Sequence, residues 1–456
     1  MSTAANSGAH RSTLDELARI LASSGLATLD AATADAARAR VLDTLGALVA
    51  GLQTPEGRML RRYAERASGE GGALDFGERC RLYVGATRAT EVDDIDVASC
   101  TTVGSVVVPV ALSIAARQRS DGRALLAAVV AGYEAMQRLG RAIGGATLIY
   151  RGVWPTYVAA PFAAAATAAK LLGLDAPTTA RALALALTRT STAPAAAQSR
   201  FGFRYYSLGC AAVEGADAAS AAAAGVEADP DALLAFAERV GVKLDETALV
   251  HAAGDPWLLR EVDSKPWSTS RQALASVVAF RELALTRQDI DAIERIVVAV
   301  PSAYRTMVDR ATPPTQRIES MIGVQYQIAL AAFAKDVLYD AIRAEVPTPP
   351  EFESLMAKIE VHADEALSAR FPRQWGARVT VHFRSGEERT QEVLDPDGAA
   401  ARPLDLDGIE RKYAHIFTAS QVGELNWLSV TRARCAQLGS ATGDGSLLEN
   451  LWRSIE

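Results

Sequence analysis

Two stretches of this chain are built almost wholly from small residues: YVAAPFAAAATAAKLLG from Tyr157 and GCAAVEGADAASAAAAG from Gly209. Alanine is the strongest helix former, and side chains this small let helix backbones approach closely. No apolar run reaches the roughly 18 residues that a membrane span needs. The two stretches therefore predict the interior of a tight helical bundle, and they read as core and not as cofactor boxes.

The helical pattern fills most of the first half. Thr13 or Asp15 is placed to cap a helix through Ala22, and residues 31 to 51 carry Ala, Val and Leu at helical spacing. Residues 106 to 117 and 122 to 143 read as a buried and an amphipathic helix, broken at Ser120-Asp121-Gly122. The character changes near Asp263. Strand-like runs at 290–300, 356–363 and 377–393 follow, the last folded at Ser385-Gly386 as a hairpin. Helical segments at 270–285 and 317–340 interrupt them, and Pro347-Thr-Pro-Pro350 reads as a loop. After Pro403 the pattern is helical again. The expected fold is mainly α with an α+β second domain: a helical domain over 1–264, an α+β domain over 265–403, and a helical return over 404–456 that packs on the first.

At 456 residues the chain is long enough for two or three domains. Its net charge of −7 leaves no basic excess to neutralise phosphates, which argues against nucleic acid as a partner. Cys80, Cys100, Cys210 and Cys435 are scattered without metal-ligand or redox spacing, and the N-terminus lacks the basic-then-apolar pattern of a signal peptide. The expectation is a cytoplasmic protein with reduced thiols and neither a nucleic-acid nor a membrane partner. A phosphate-cradling glycine loop, a dinucleotide fingerprint and a GxSxG elbow are all absent from the sequence. The five histidines are too dispersed for an evident metal site, and His362 and His382, in strand patterns, read as structural.

The stretch with chemical promise is 85–109, GATRATEVDDIDVASCTTVGSVVVP, where Glu91, Asp93, Asp94 and Asp96 precede a valine-rich run. Carboxylates beside a buried element are costly unless paired, so they mark either a site or a solvated salt-bridge face. If 87–96 is helical, Arg88, Glu91 and Asp94 share one stripe, with Asp93 and Asp96 on another, and Arg88 holds Glu91 ionised. Thr101, Thr102 and Ser105 are placed either to cap the next helix or to bind a substrate carboxylate beside its amides. Trp154 in RGVWPTY suits a core or interface, while the arginines and aromatics of 200–206 (RFGFRYY) suit an anion or plain surface packing. Lys265 and Arg271, at the expected domain boundary, form either a carboxylate-binding pair or a charged loop.

These motifs, in this order, resemble the MmgE/PrpD family, whose members include 2-methylcitrate dehydratase, cis-aconitate decarboxylase and iminodisuccinate epimerase. VLDTLGALVAG from Val41 resembles the family's early helix, and RATEVDD (88–94) stands in the place of its HALDFDD-like motif. TVGSVVVPVALSIA from Thr102 is similar to HPGSVVVPAALALA, and GVWPT from Gly152 stands where GWHPT is usual. KLLGLD from Lys170 matches closely, and SKPWSTSRQALASVVAFREL from Ser264 resembles KPYPSCRFTHPAIDALLEL. The resemblance implies a helical domain built from both chain ends, an inserted α+β domain, a homodimer, a site between the domains, and no cofactor or metal.

By the same resemblance Glu91 takes the place of the family's catalytic aspartate and Asp94 keeps the last aspartate of that motif. Lys265 and Arg271 are retained, a family lysine becomes Arg204, and Tyr326 falls in a segment that often lines the site. Four family histidines become Arg88, Thr102, Trp154 and Leu274. Histidine is the side chain best poised for proton transfer near neutral pH, so the usual route is not expected here. The expected activity is proton transfer beside a carboxylate, leading to dehydration, decarboxylation or isomerisation. Glu91, Asp94 and Lys265 would be catalytic. Arg88, Thr102, Trp154, Arg204, Arg271, Leu274 and Tyr326 would bind an anionic small molecule. Trp154 and Leu274 point to a larger or more apolar acid. The alternative is a catalytically silent homologue that binds a ligand or partner in the same cleft.

Overall fold

The computed structural model describes residues 3–69, 73–190, 202–229, 231–250 and 255–440. Its first half is α1 (Thr3–Ser23), α2 (Ala31–Gln53), α3 (Pro55–Ser68), α4 (Phe76–Ala89), α5 (Gly104–Gln118), α6 (Gly122–Ala142), α7 (Gly145–Leu148), α8 (Pro155–Leu171), α9 (Ala176–Arg189), α10 (Phe203–Ala223) and α11 (Ala232–Val240). Then come α12 (Arg271–Glu282), α13 (Arg287–Ala292), β1 (Ile293–Val300), α14 (Arg305–Val308), α15 (Val324–Phe333), α16 (Lys335–Tyr339), α17 (Pro350–Met356), β2 (Ile359–Ala363), α18 (Glu365–Ser368), β3 (Ala377–Phe383) and β4 (Glu388–Val393). The helices α19 (Leu406–Ala419) and α20 (Leu425–Gln437) close the described chain. The protein is mainly α with a small α+β part.

Aspartate starts many of these helices. The side chains of Asp30, Asp75, Asp121 and Asp175 each accept from an amide of the first turn, and Asp75 forms a reciprocal capping box with Glu78. The break at 120–122 lies where Asp121 caps α6. Thr13 and Asp15 do not begin a helix: α1 runs through both, and Thr13 Oγ1 donates instead to Glu246 at 2.8 Å.

The alanine-dense helices α8 and α10 pack on one another, with α6 on the other side of α8. At Gly215 of α10 an added Cβ would lie 2.1 Å from the Pro161 carbonyl oxygen of α8, so only glycine allows this approach. The first hydrophobic core joins α1–α6 and α8–α11 to α19 and α20, whose Ile409, Tyr413, Ile416 and Phe417 are fully buried. The C-terminal helices therefore return to pack on α2.

The second core lies between one face of a four-stranded sheet and α12, α15 and α17. The strand order is β2-β1-β3-β4, with β1 and β2 parallel and the other pairs antiparallel. Along β3, Ala377, Val379, Val381 and Phe383 are buried while the residues between them are half-exposed, the alternation of a sheet covered on one face. His362 and His382 lie on the open side, each beside a glutamate, Glu360 and Glu388. The β3–β4 hairpin turns at Gly386, whose φ of 86° suits glycine. The expected helix over 317–340 is three pieces, a short 3-10 turn (Glu319–Met321), α15 and α16. Pro350 opens α17, so the proline-rich loop ends one residue earlier than expected. No helix among the described residues is long and apolar enough to cross a membrane.

Candidate active site

The acidic stretch is not helical. The helix α4 ends at Ala89, and Glu91 takes a left-handed conformation with φ 55°, uncommon for a residue with a side chain. Groups from beyond residue 264 hold this turn. Arg317 donates to the Ala89 carbonyl at 2.9 Å, Ser268 Oγ to Thr90 at 2.7 Å, and the Thr269 amide to Glu91 at 3.4 Å. These bonds satisfy carbonyls that a helix end leaves open. Four residues further on, Ile95 and Asp263 exchange backbone hydrogen bonds at 2.9 and 2.8 Å. The loop is thus fixed by tertiary contacts across the two cores.

That geometry gathers charges into one buried cluster. Glu91 is 6% exposed. Its carboxylate pairs with Arg88 Nη1 at 2.6 Å, closely with Arg204 Nη2 from α10, and with Lys265 Nζ at 3.8 Å. Tyr205 Oη stands 3.5 Å away. Asp93 Oδ1 accepts from Arg88 at 3.2 Å and from Lys265 at 3.1 Å. Burial pushes the Glu91 carboxyl up, but the combined pull of Arg88, Arg204 and Lys265 outweighs it and holds the group at about 2. Burial lowers and Asp93 and Glu91 raise the Arg88 guanidinium, with a net upward shift. The indole of Trp154, at the start of α8, lies against two of these cations, 5.7 Å from the Arg88 guanidinium carbon and 5.4 Å from that of Arg204.

A cavity of ≈ 60 Å³ adjoins the cluster. Arg88, Glu91, Thr102, Trp154, Thr156 and Arg204 border it from the helical side, and Lys265, Arg271, Ile318 and Met321 from the other. It lies where the two cores meet. Arg271 is fixed by Asp263 at 2.7 Å and by the Trp375 carbonyl at 3.2 Å. Thr102 does not cap α5: its amide and hydroxyl bond Thr156 Oγ1 at 3.1 and 3.3 Å, while Ser105 Oγ turns back to the Thr102 carbonyl. The helix start takes its acceptor from a distance, Asp94 Oδ1, which receives the Gly104 amide at 2.8 Å.

Three expected site residues do not border this cavity. Asp94 faces the other way because the left-handed turn at Glu91 breaks the helical stripe. Besides capping Gly104 it accepts from Tyr133 Oη. Leu274 is buried in the second core on α12. Tyr326 packs on Phe352 in the same core and donates to the Pro347 carbonyl at 2.8 Å. Asp96 is also drawn away, to Arg141 at 2.8 Å. Of the stretch 200–206, Arg200 and Phe201 lie outside the described residues, and Tyr206 is exposed against Tyr63. The sequence did not single out Tyr205 or Thr156. A helical 87–96 would put Asp93 on a separate stripe, and only the non-helical turn shows that it shares Arg88 and Lys265 with Glu91.

Behind the cluster runs a second buried network. Asp43 of α2 accepts from Lys412 Nζ at 2.6 Å, Tyr413 Oη at 3.0 Å and Ser264 Oγ at 2.9 Å, and Lys412 also donates to the Val92 carbonyl at 2.8 Å. An aspartate inside the apolar run VLDTLG was the available signal for it. Among the described residues, no group of three or more His, Cys, Asp or Glu is placed to hold a metal ion.

Asp94 gives a test of this placement. Burial lifts its carboxyl to about 6, against the opposing pull of Arg40 and the Tyr133 hydroxyl. The folded chain therefore binds this proton more tightly than the unfolded chain does. Stability is highest below the ordinary carboxylate value of about 4 and falls as pH rises through about 6, by roughly 2–3 kcal/mol in all. Asp94→Asn should remove that slope. Denaturant midpoints at pH 4.5 and 7 that shift equally in both proteins would contradict it.

Comparison with known families gives two matches. The MmgE/PrpD N-terminal domain matches residues 15–242, and the MmgE/PrpD C-terminal domain matches residues 267–424. No curated protein matches the chain.

Proposed function

The chain belongs to the MmgE/PrpD family, and from that premise we propose that it takes a small carboxylate into the cavity beside Glu91 and moves a proton at the neighbouring carbon, without a cofactor. The observation that carries this reading is the convergence of Arg88, Arg204, Lys265 and Arg271 on one small space that Glu91 also borders. Cations bind a carboxylate and stabilise the charge of an enolate as it develops. Glu91 would carry the proton. Dehydration, decarboxylation and isomerisation share that step.

Size and charge favour a small anion over the larger or more apolar acid expected from Trp154 and Leu274. Trp154 lies against guanidiniums, Leu274 is elsewhere, and ≈ 60 Å³ leaves little room. The resemblance also carries the proposals of a homodimer and a cytoplasmic location.

A silent ligand-binding homologue is the second reading. It is favoured by the substituted histidine positions, Arg88, Thr102, Trp154 and Leu274, and by the saturation of Glu91 with cations. Deuterium wash-in from D2O separates the two. Small hydroxy and unsaturated acids incubated with the protein are expected to gain deuterium beside their carboxylates. An acid that demonstrably binds and gains none counts for the silent reading.

A further inference from the structure

We infer that Glu91 is an internal occupant of the carboxylate site, and that an incoming small carboxylate takes over its cations and leaves Glu91 to take up a proton. This rests on the proposed carboxylate site but not on turnover.

Arg88, Arg204 and Lys265 all point their charge at Glu91, and all three also border the cavity. A carboxylate in that space competes for the same groups. The charges make the competition costly for Glu91. Three cations, Arg88, Arg204 and Lys265, face two carboxylates, Glu91 and Asp93, an excess of one positive charge. A monoanion cancels that excess, and a dianion exceeds it. Asp93 also pairs with Arg88 Nη1 and Lys265 Nζ, the atoms that Glu91 contacts, so those two cations keep an anchor when Glu91 gives way. Arg88 Nε is buried and has no hydrogen-bond partner among the described residues, a donor already present for a ligand.

A buried carboxylate that loses its cations is driven towards its neutral form. The groups facing Glu91 are Arg88 on α4, Asp93 in the loop, Arg204 and Tyr205 on α10, and Lys265, with Arg271 across the cavity. Only the cations hold Glu91 at about 2, and Asp93 and Tyr205 offer no compensating positive charge. Paired with these cations, the carboxylate is too weakly basic to take a proton from carbon. A carboxylate bound beside it raises its basicity. The substrate would thus switch on the group that acts upon it, and binding and proton uptake would be linked.

Calorimetric titration with acetate and malonate, in pairs of buffers that differ in ionisation enthalpy, counts the protons taken up. Near pH 5, once the protons that free acetate and malonate themselves carry are subtracted, the wild-type protein is expected to take up close to one proton per anion, with the uptake falling towards neutral pH. The E91Q variant, which has no charge to displace, is expected to bind about tenfold more tightly with no proton uptake. Wild-type binding with no uptake at either pH overturns the inference and leaves the carboxylate site standing. So does E91Q binding no tighter than wild type. Absence of binding in both proteins overturns the carboxylate site itself. The proton count is made on the wild-type protein, so it decides the matter even if E91Q fails to fold.

Discussion

In the E91Q variant, deuterium exchange into any acid that the wild-type protein labels is expected to fall by about a thousandfold or more, in the range that a positioned acid–base group supplies. Glutamine keeps the length and shape of the side chain, and its amide can still meet Arg88 and Arg204. What is lost is the proton-carrying oxygen. The expected signature has two halves: the rate falls while the acid binds more tightly, because nothing charged competes for the cations. A variant that weakens binding and slows exchange together would show damage to the site and not loss of the acting group. Exchange that continues unchanged would falsify the role of Glu91, and the search would move to Lys265, which like Arg88 pairs with both carboxylates.

The largest effect on stability is expected at Asp43. It is 1% exposed and answers Lys412, Tyr413 and Ser264, with Arg40 at 3.9 Å. Asp43→Ala leaves buried cations without their counter-charge, a change that costs about 3–5 kcal/mol in comparable pairs. Denaturant unfolding measures it, and a loss under about 1 kcal/mol would show that water or a neighbour relieves the network. Adding Lys412→Met should recover part of the loss, since the uncompensated charge goes with it. The pH dependence has the opposite sign to that of Asp94. Burial raises the Asp43 carboxyl, Lys412 and Arg40 lower it further, and the net shift is downward. Its contribution is therefore present above the ordinary carboxylate range and lost as pH falls through the depressed folded value. Wild-type acid unfolding should carry this component and the D43A variant should not.

Much of the fold was legible because local pattern and tertiary need agree. The alanine-dense α8 and α10, the break at Asp121 and the hairpin at Gly386 each follow from one local rule, helix propensity, capping or a left-handed turn. The return of α19 and α20 was legible from a helical tail after a strand-rich stretch. The site was legible only in part. Arg88, Glu91, Thr102, Trp154, Arg204, Lys265 and Arg271 do border one cavity, but a family resemblance and not spacing brought them together. The helical reading of 87–96 failed because what ends α4 is remote. Arg317, Ser268 and Thr269 take up its last carbonyls, and nothing in residues 85–96 announces partners more than 170 positions away. Once that turn is left-handed, Asp94 must face α5 and α6 while Asp93 joins Glu91. A period-based stripe has no means of placing them so.

The bond from Lys412 to Asp43 spans 369 positions. Synthesis runs from the first residue to the last, so α2 leaves the ribosome long before the lysine that neutralises its aspartate. At about 5–20 residues per second that interval lasts from roughly 20 s to over a minute. The sheet and its covering helices, in contrast, have all their partners once Val393 has emerged. The second core can therefore be completed before the first, which lacks Ile409, Tyr413, Ile416 and Phe417 until α19 arrives. A ribosome stalled before residue 412 should expose the early helices to protease while the sheet is already protected.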